Sequence, residues 1–263
     1  MVPMGKNTSA DLILIAEDNS DMLIYLENIL SERFKLLTAK DGQEALDKAL
    51  KYIPDLIISD IMMPVMDGIA LLKALKNNEN TNHIPVILLT ARHAESSILE
   101  GYKTGAEDYI TKPFSGEILK IRIENILSSR RKMWEQYKQS KDMSEYEEKL
   151  VEDPQKQAFV KKISEIITNH IAEPDFNTEA LAAELRMSVN QLSRKVKALM
   201  DTTPHHVIIQ IRMTQAARLI TENELNISGI AFAVGYEELS NFSRAFKNYH
   251  HLSPREYLKN ATK

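Results

Sequence analysis

The chain has 263 residues, of which 43% are hydrophobic and 27% are charged, with a formal net charge of −4 and no cysteine. This length predicts about two domains of ordinary globular composition. The lack of cysteine excludes disulfide bonds and thiolate metal sites, and the apolar runs are too short to span a bilayer. We therefore expect a cytoplasmic protein with no direct membrane contact through this segment.

Charge is unevenly distributed along the chain. Residues 1–127 carry 13 basic and 19 acidic residues, residues 128–160 carry 7 of each, and residues 161–263 carry 13 basic and 11 acidic residues. The three net charges are therefore −6, 0 and +2. The acidic first region suits a metal site built from carboxylates, whereas the weakly basic last region gives only slight support for nucleic acid binding.

Apolar runs alternate with amphipathic segments over residues 11–131. Strands are predicted at LILIAED, FKLLTA, DLIISD, PVILLT and DYIT, and helices over 20–32, at DGQEALDKALKY, at DGIALLKALKN, near 95–104 and over 115–131. Strands that alternate with helices of this length form a parallel sheet with helices on both faces. The pattern predicts a doubly wound α/β domain with a five-stranded parallel sheet.

The rest of the chain has a different character. Residues 1–10 are predicted to be a leader without ordered structure. Residues 132–160 are highly charged and lack a broad apolar stripe, so we expect an extension of the preceding helix and then a polar linker that ends near Pro154. Residues 161–263 are predicted to form a second, all-helical domain.

The predicted helical domain repeats itself. Matching pairs recur at offsets of 50 and 49 residues: Leu192/Phe242, Ser193/Ser243, Arg194/Arg244, Val196/Phe246, Lys197/Lys247 and Pro204/Pro254, then Leu181/Ile230, Ala182/Ala231 and Leu185/Val234. Each copy comprises a short helix with a small alanine, a tight turn, and a longer helix that carries Ser-Arg. This layout predicts two helix-turn-helix units, with Leu192, Val196, Phe242 and Phe246 in the core.

Polar residues follow the predicted strands at the edge where ligands bind in such sheets. Glu17 and Asp18 end the first strand, Asp60 the third and Thr90 the fourth, and Lys112 follows the fifth. Carboxylates gathered at one edge repel one another and need a cation, and oxygen ligands from Asp18 and Asp60 suit Mg²⁺. A carboxylate can attack phosphorus and form an acyl phosphate. Mg²⁺ and Lys112 would neutralise the developing charge, and Thr90 would donate a hydrogen bond to a phosphoryl oxygen.

Four motifs at this edge, AEDN, SDIMMPVMDG, LLTA and DYITKPF, are together highly specific. On these motifs, residues 11–127 resemble the receiver domain of response regulators, which implies a flavodoxin-like fold. The resemblance implies that Asp60 accepts a phosphoryl group from a histidine kinase. It also implies that Asp18 and Asp60 bind Mg²⁺ together with the backbone carbonyl of Met62, with Glu17 acting through water.

The same resemblance assigns two further features. Tyr109 would be an aromatic switch that moves inward as Thr90 closes on the phosphate. The peptide bond between Lys112 and Pro113 would be cis. A phosphatase with an aspartyl nucleophile is an alternative on a similar fold, but it commonly needs a second acid two positions beyond the nucleophile. Met62 occupies that position here, which argues against a hydrolase.

The predicted helical domain contains the segments FNTEALAAELRMSVNQLSRKVKAL, TPHHVIIQIRMTQAARLI, ISGIAFAVGYEELSNFSRAFKNY and LSPREYL. On these motifs, residues 163–258 resemble the AraC-type DNA-binding domain. The resemblance implies that residues 189–199 and 239–249 are recognition helices that enter the major groove of double-stranded DNA. The residues expected to face DNA are Asn190, Ser193, Arg194, Ser240, Asn241, Ser243 and Arg244.

Lysines beside these positions, Lys195, Lys197 and Lys247, are expected to contact phosphates, which position a protein on DNA but do not specify sequence. Internal salt bridges are the alternative role for Arg194 and Arg244. This family often has glycine just after each recognition helix, where Asp201 and His251 stand here. Both residue types tolerate the left-handed turn expected there.

Together the two resemblances predict a two-component response regulator that is not itself an enzyme. Phosphorylation of Asp60 would promote pairing of receivers into a homodimer and so raise DNA affinity through two linked sites. A histidine kinase and double-stranded DNA are the expected partners, and RNA polymerase is a further candidate. In the alternative reading, the receiver docks onto a protein without phosphorylation. The chain also resembles the tail of hybrid sensor proteins of some gut bacteria, in which the kinase and this segment share one polypeptide.

Overall fold

The structure is a computed structural model that describes residues 11–91, 105–137, 154–222 and 225–261. It divides into two compact units, Met1–Glu135 and Gln136–Lys263. The predicted leader, the helix predicted near 95–104 and much of the predicted linker lie outside the described residues. Within these ranges, every helix is too short or too polar to cross a membrane.

A parallel sheet forms the centre of the first unit. Its strands are β1 (Leu12–Ala16), β2 (Lys35–Ala39), β3 (Leu56–Asp60), β4 (Val86–Ala91) and β5 (Asp108–Lys112). They lie in the order β2-β1-β3-β4-β5, and every neighbouring pair is parallel. The helices are α1 (Ser20–Leu30), α2 (Gly42–Tyr52), α3 (Gly68–Asn77) and α4 (Gly116–Tyr137). The predicted doubly wound, flavodoxin-like sheet of five strands is therefore confirmed.

The central strands are buried and mostly apolar because both of their faces are covered. In β1, Leu14 and Ala16 belong to one buried cluster, which includes residues of α2 and α3. Ile13 and Ile15 belong to a second cluster, with residues of α1 and α4. Alternate side chains of one strand thus enter opposite layers of the core, and the polar strand ends remain at the edge.

Helices make up the second unit. They are α5 (Pro154–Asn169), α6 (Thr178–Glu184), α7 (Val189–Met200), α8 (Pro204–Glu222), α9 (Ile227–Ala233), α10 (Leu239–His250) and α11 (Pro254–Ala261). The two predicted helix-turn-helix units are α6 with α7 and α9 with α10. Helix α8 contacts α5, α7, α9, α10 and α11, so it is the central element that joins the repeats.

Helix α5 begins inside the segment predicted as a linker over 132–160. Pro154 opens the helix, where its missing N–H costs no hydrogen bond. Val160, Ile163 and Ile167 are fully buried, at the spacing of one helical face. The helical unit therefore starts before the predicted boundary at residue 161.

Both recognition helices end in a left-handed residue, as expected. Asp201 follows α7 with a φ of 43°, and its N–H donates to the carbonyl of Lys197. His251 follows α10 with a φ of 60°, and its N–H donates to the carbonyl of Lys247. The chain therefore makes, without glycine, the turn that glycine usually makes.

Candidate functional site

Four charged side chains meet at the carboxyl edge of the sheet. Glu17 directly follows β1, Asp60 ends β3 and Lys112 ends β5, so the parallel strands deliver them to the same place. Carboxylate oxygens of Glu17, Asp18 and Asp60 all lie within 4.8 Å of one another. The three predicted acids therefore form one cluster.

Lys112 bridges two of these acids. Its Nζ lies 2.8 Å from Oε2 of Glu17 and 3.0 Å from Oδ2 of Asp60. Burial alone would lower the pKa of Lys112, but the hydrogen bonds to the two carboxylates outweigh it and raise the pKa. The ammonium therefore stays charged beside Asp60. The peptide bond from Lys112 to Pro113 is cis, which confirms that expectation.

Glu17 is held inside the edge rather than on its surface. Its side chain is 1% exposed, and desolvation by burial raises the pKa of its carboxyl group, while the hydrogen bond from Lys112 partly opposes the change. The neighbouring charge of Asp60 raises this pKa further. Three acids balanced by one ammonium leave an excess of negative charge, and the hard oxygen donors match the preferences of Mg²⁺.

Asp60 is anchored through both carboxylate oxygens. The backbone N–H of Ile61 donates to its Oδ1 at 2.8 Å, and Lys112 contacts Oδ2. A cavity of about 700 Å³ opens onto the cluster. Its lining residues are Glu17, Asp18, Asn19, Asp21, Met22, Tyr25, Asp60 and Lys112. The carboxylate of Asp60 is thus oriented by donors and reachable from solvent.

The remaining predicted residues of this site lie beside the cavity, not among its lining residues. Thr90 is buried at the end of β4, and its hydroxyl donates to the carbonyl of Ala91 at 3.3 Å. Tyr109 packs in the apolar cluster on the α2 and α3 side of the sheet. The side chain of Met62 is 75% exposed. Met62 lies two residues after Asp60, Tyr109 lies three residues before Lys112, and Thr90 lies one residue before the end of β4.

Two glycines pack closely against the backbone of the loop that follows Asp60. The N–H of Gly68 donates to the carbonyl of Ile61, and the N–H of Gly42 donates to the carbonyl of Met66, both at 3.0 Å. A Cβ on Gly68 would collide with the carbonyl oxygen of Asp60, and one on Gly42 with that of Met66. Helices α2 and α3 therefore approach the loop backbone as closely as glycine permits.

Asn19, which has no predicted role, lies beside the acid cluster and lines the same cavity. Its side chain accepts from the N–H of Met22 and caps α1. Its own N–H lies 3.4 Å from Oε1 of Glu17. Asn before an amphipathic helix is a capping signal, so the cap was readable from the sequence, although the contact with Glu17 was not.

The predicted reading face of α7 is only partly exposed. Asn190 is exposed, whereas Ser193, Arg194 and Lys197 are half-buried. Leu192 and Val196 are fully buried, as predicted. Ser188 and Gln191 form a capping box at the start of the helix.

The reading face of α10 is more open. Ser240, Asn241, Arg244 and Lys247 are exposed, and Ser243 is half-buried. Phe242 and Phe246 are fully buried, as predicted. Nη2 of Arg244 donates to Oδ1 of Asn241 at 2.9 Å. Among the described side chains, neither Arg244 nor Arg194 forms a salt bridge, so the internal-pair alternative finds no support there.

Lys195 lies inside the helical unit and not on its predicted DNA-facing surface. It was expected to contact DNA phosphates, but its side chain is 1% exposed. Its Nζ lies 3.7 Å from the centre of the Phe159 ring on α5. The ammonium is therefore stabilised by an aromatic face inside the unit, and it is not available to a phosphate in this arrangement.

Comparison with known proteins matches both units. Residues 13–124 match the family model of the response regulator receiver domain, and residues 181–260 match that of a helix-turn-helix domain. Histidine kinase P4 of Formosa agariphila is 34% identical over 245 residues, which are 93% of this chain and 18% of the kinase. The chain thus spans less than a fifth of that relative's length.

Proteins that match about half of this chain include a transcriptional regulator and a solved receiver structure. CpxR of Escherichia coli is 40% identical over 131 residues, which are 49% of this chain and 54% of CpxR. A receiver domain from Francisella is 41% identical and has a TM-score of 0.42, over 46% of this chain and 98% of the domain. The chain thus joins a response regulator receiver domain at residues 13–124 to a C-terminal helix-turn-helix domain of the AraC type at residues 181–260.

Proposed function

We propose that the chain is a two-component transcription regulator in which Asp60 accepts a phosphoryl group from a histidine kinase. The observation that carries the proposal is the contact at 3.0 Å between Nζ of Lys112 and Oδ2 of Asp60, beside two further acids. A carboxylate that is anchored, paired with a cation and open to a cavity is equipped to act as a phosphoryl acceptor.

In the reaction, a carboxylate oxygen of Asp60 attacks the phosphorus of a phosphohistidine. The new P–O bond gives an acyl phosphate, the P–N bond breaks, and the imidazole leaves and takes up a proton. Lys112 neutralises charge on the transferred group, and Thr90 would donate a hydrogen bond to it after a local movement. Asp18 and Asp60 would hold Mg²⁺ with the carbonyl of Met62, and Glu17 through water; the ion would supply charge neutralisation.

The chain is proposed to be a regulator and not a hydrolase. Met62 stands two positions beyond Asp60, and its exposed thioether cannot serve as a general acid. The chemistry therefore ends at the phosphorylated Asp60. Tyr109 is proposed to report that state by shifting within its apolar cluster as Thr90 moves.

The output is proposed to be sequence-specific binding of double-stranded DNA by α7 and α10, and hence control of transcription in the cytoplasm. Phosphorylation would favour a homodimer, whose two linked DNA-binding domains raise affinity. RNA polymerase is a further proposed partner. The match of 93% of this chain to part of a histidine kinase favours a phosphoryl donor in the same polypeptide over a separate kinase.

Phosphoryl acceptance can be tested with acetyl phosphate or phosphoramidate in the presence of Mg²⁺. We expect intact-mass analysis to show one added phosphoryl group on the wild-type chain and none on Asp60→Asn. Asp67→Asn is the matched control, because Asp67 caps α3 through the N–H of Ala70 and lies outside the cluster. Equal labelling of Asp60→Asn and wild type would overturn the proposed acceptor.

Control of DNA binding by phosphorylation is tested by measuring the affinity for DNA. We expect phosphorylation to raise the affinity of the wild-type chain for its DNA site, and to leave the affinity of Asp60→Asn unchanged. Arg244→Ala should remove sequence-specific binding, because the exposed Arg244 guanidinium is expected to meet base edges. If Asp60→Asn bound and responded as wild type does, the receiver would act as a docking module without phosphorylation. If Arg244→Ala bound DNA as wild type does, the helices would serve a protein partner instead.

A further inference from the structure

The two helix-turn-helix units differ at the residue that immediately precedes each recognition helix. In the first unit, Ser188 accepts from the N–H of Gln191, and the Gln191 side chain accepts from the N–H of Ser188. The equivalent residue of the second unit, 50 positions later, is Glu238. Its side chain makes no capping hydrogen bond with α10.

Glu238 instead joins a row of exposed side chains along α10. Its Oε2 accepts from the Oγ of Ser240 at 3.3 Å and from the Nδ2 of Asn241 at 3.2 Å. Asn241 in turn accepts through Oδ1 from Nη2 of Arg244 at 2.9 Å. All four residues are exposed. The carboxylate thereby fixes which way the amide of Asn241 points, and this amide orients Arg244.

A carboxylate on this surface is unfavourable for contact with DNA phosphates, since like charges repel. It becomes favourable where it meets a hydrogen-bond donor. In the major groove, the N4 amino group of cytosine is the donor that glutamate pairs with. The N-terminal residues of a recognition helix reach base edges, and Glu238 immediately precedes the first helical residue of α10, Leu239. Its second oxygen, Oε1, has no hydrogen-bond partner within the described part of the unit.

We propose that Glu238 determines the base specificity of the second unit by accepting a hydrogen bond from the N4 amino group of one cytosine. Through Asn241, it also holds Arg244 in place for a neighbouring contact. The first unit has no carboxylate at the equivalent position, where Ser188 forms a capping box with Gln191. The two units therefore recognise different functional groups on DNA, although they share one fold. This inference rests on the proposed function, namely DNA binding by α10.

The test is selection of binding sites from a random double-stranded DNA library with the full chain. Wild type, Glu238→Gln and Glu238→Ala are compared, with Glu237→Gln as the matched control at the adjacent exposed acid. At one position, we expect wild type to prefer cytosine by about tenfold. Glu238→Ala should lose this preference, and Glu238→Gln should shift it towards adenine, the base that glutamine pairs with. Glu237→Gln should retain the wild-type profile.

Several outcomes would overturn the inference while leaving the proposed function intact. One is a wild-type profile for both Glu238 variants. Another is retention of the cytosine preference with changes only at the position that Arg244→Ala alters, which would limit Glu238 to orienting Arg244. If the wild-type chain enriched no sequence, the proposed function itself would fail, and this inference with it. Circular dichroism of each variant checks that α10 still forms.

Discussion

The ammonium nitrogen of Lys195 lies 3.7 Å from the centre of the Phe159 ring. The contact joins the first recognition helix, α7, to α5, which precedes the repeated units. Lys195 is 1% exposed, so most of its interaction with water has been replaced. The side chain therefore serves packing within the helical unit, and α5 belongs to that unit although its sequence is more polar.

This pair should be energetically coupled. We expect Phe159→Leu to destabilise the helical unit by about 2 kcal/mol, the value of a cation–π contact that is shielded from water. In a Lys195→Met background, the same substitution should cost clearly less, because no cation remains over the ring. Hydrogen exchange of α7 amides in the full chain measures both costs. Equal costs in the two backgrounds would show that Phe159 contributes packing alone.

Lys247 and Lys195 should differ in their effect on DNA binding. Lys247 is exposed on α10, whereas Lys195 is buried. We expect Lys247→Met to lower the slope of log affinity against log salt by about one, as loss of one phosphate contact does. Lys195→Met should leave the slope unchanged, even if the affinity falls. A reduced slope for Lys195→Met would place its ammonium on a phosphate in the complex.

Glu17 should make the stability of the first unit depend on pH. Burial raises the pKa of Glu17 above its ordinary value of 4.5. Between 4.5 and the raised pKa, the folded state binds more protons than the unfolded state, so stability falls as pH rises through this window. Glu17→Gln removes this loss. Calorimetry without divalent ions should show the variant gaining stability relative to wild type as pH rises.

The Glu17 experiment has a built-in control. Mg²⁺ at the acid cluster would favour the ionised carboxylate, so adding Mg²⁺ should reduce the difference between wild type and Glu17→Gln at neutral pH. A difference that stays constant with pH would mean that Glu17 has the same pKa in the folded and unfolded states.

Val65 stores backbone strain in the loop after Asp60. It has a φ of 64° and is 85% exposed. A β-branched residue therefore adopts a left-handed conformation, and no burial of its side chain offsets the strain. We expect Val65→Asn to raise the free energy of unfolding of the first unit by about 1 kcal/mol, since Asn tolerates this region. The measurement is the calorimetric midpoint. Met62→Asn, in the same loop but without positive φ, should change it little.

The turn after α10 offers a similar gain. His251 has a φ of 60°, and His251→Gly should stabilise the helical unit by about 0.5 kcal/mol, since glycine adopts this conformation without strain. His250→Gly should act in the opposite direction, because His250 is helical and packs on the rings of Phe246 and Tyr257. Hydrogen exchange of the α10 amides distinguishes the two variants, because protection should rise in His251→Gly and fall in His250→Gly. A loss of protection in His251→Gly would contradict this account.

The sheet and its acid cluster were readable from sequence for a simple reason. Strands buried on both faces are continuous apolar runs, and the first polar residue after each run must stand at the strand's end. Because the strands are parallel, Glu17, Asp60 and Lys112 must lie at the same edge of the sheet. This can be predicted without knowing the course of the loops. What sequence reasoning missed here was the contact between Asn19 and Glu17, since a capping residue's other neighbours depend on the three-dimensional course of the chain.

Lys195 shows where such reasoning failed. It lies three residues after Leu192 and four before Leu199, on the face of α7 that packs inward. Its spacing predicts burial, whereas its charge predicts exposure, and in the structure Lys195 is buried. The aromatic ring that makes burial tolerable belongs to Phe159 in a distant part of the chain. No local pattern links the two residues, and Phe159 itself lies in the part of α5 that falls within the predicted linker over 132–160.

Gly42 and Gly68 have a consequence for how this loop can evolve. They belong to different helices, yet both face the backbone that follows Asp60, and a methyl group on either would meet a carbonyl oxygen. Enlarging one residue cannot be compensated by shrinking a neighbour, because a main-chain oxygen has no smaller substitute. Replacement of either glycine by a residue with a side chain is therefore excluded, whereas Met62 and Val65 can be replaced. Related chains can diversify the exposed tip of the loop while its two ends keep the same dimensions.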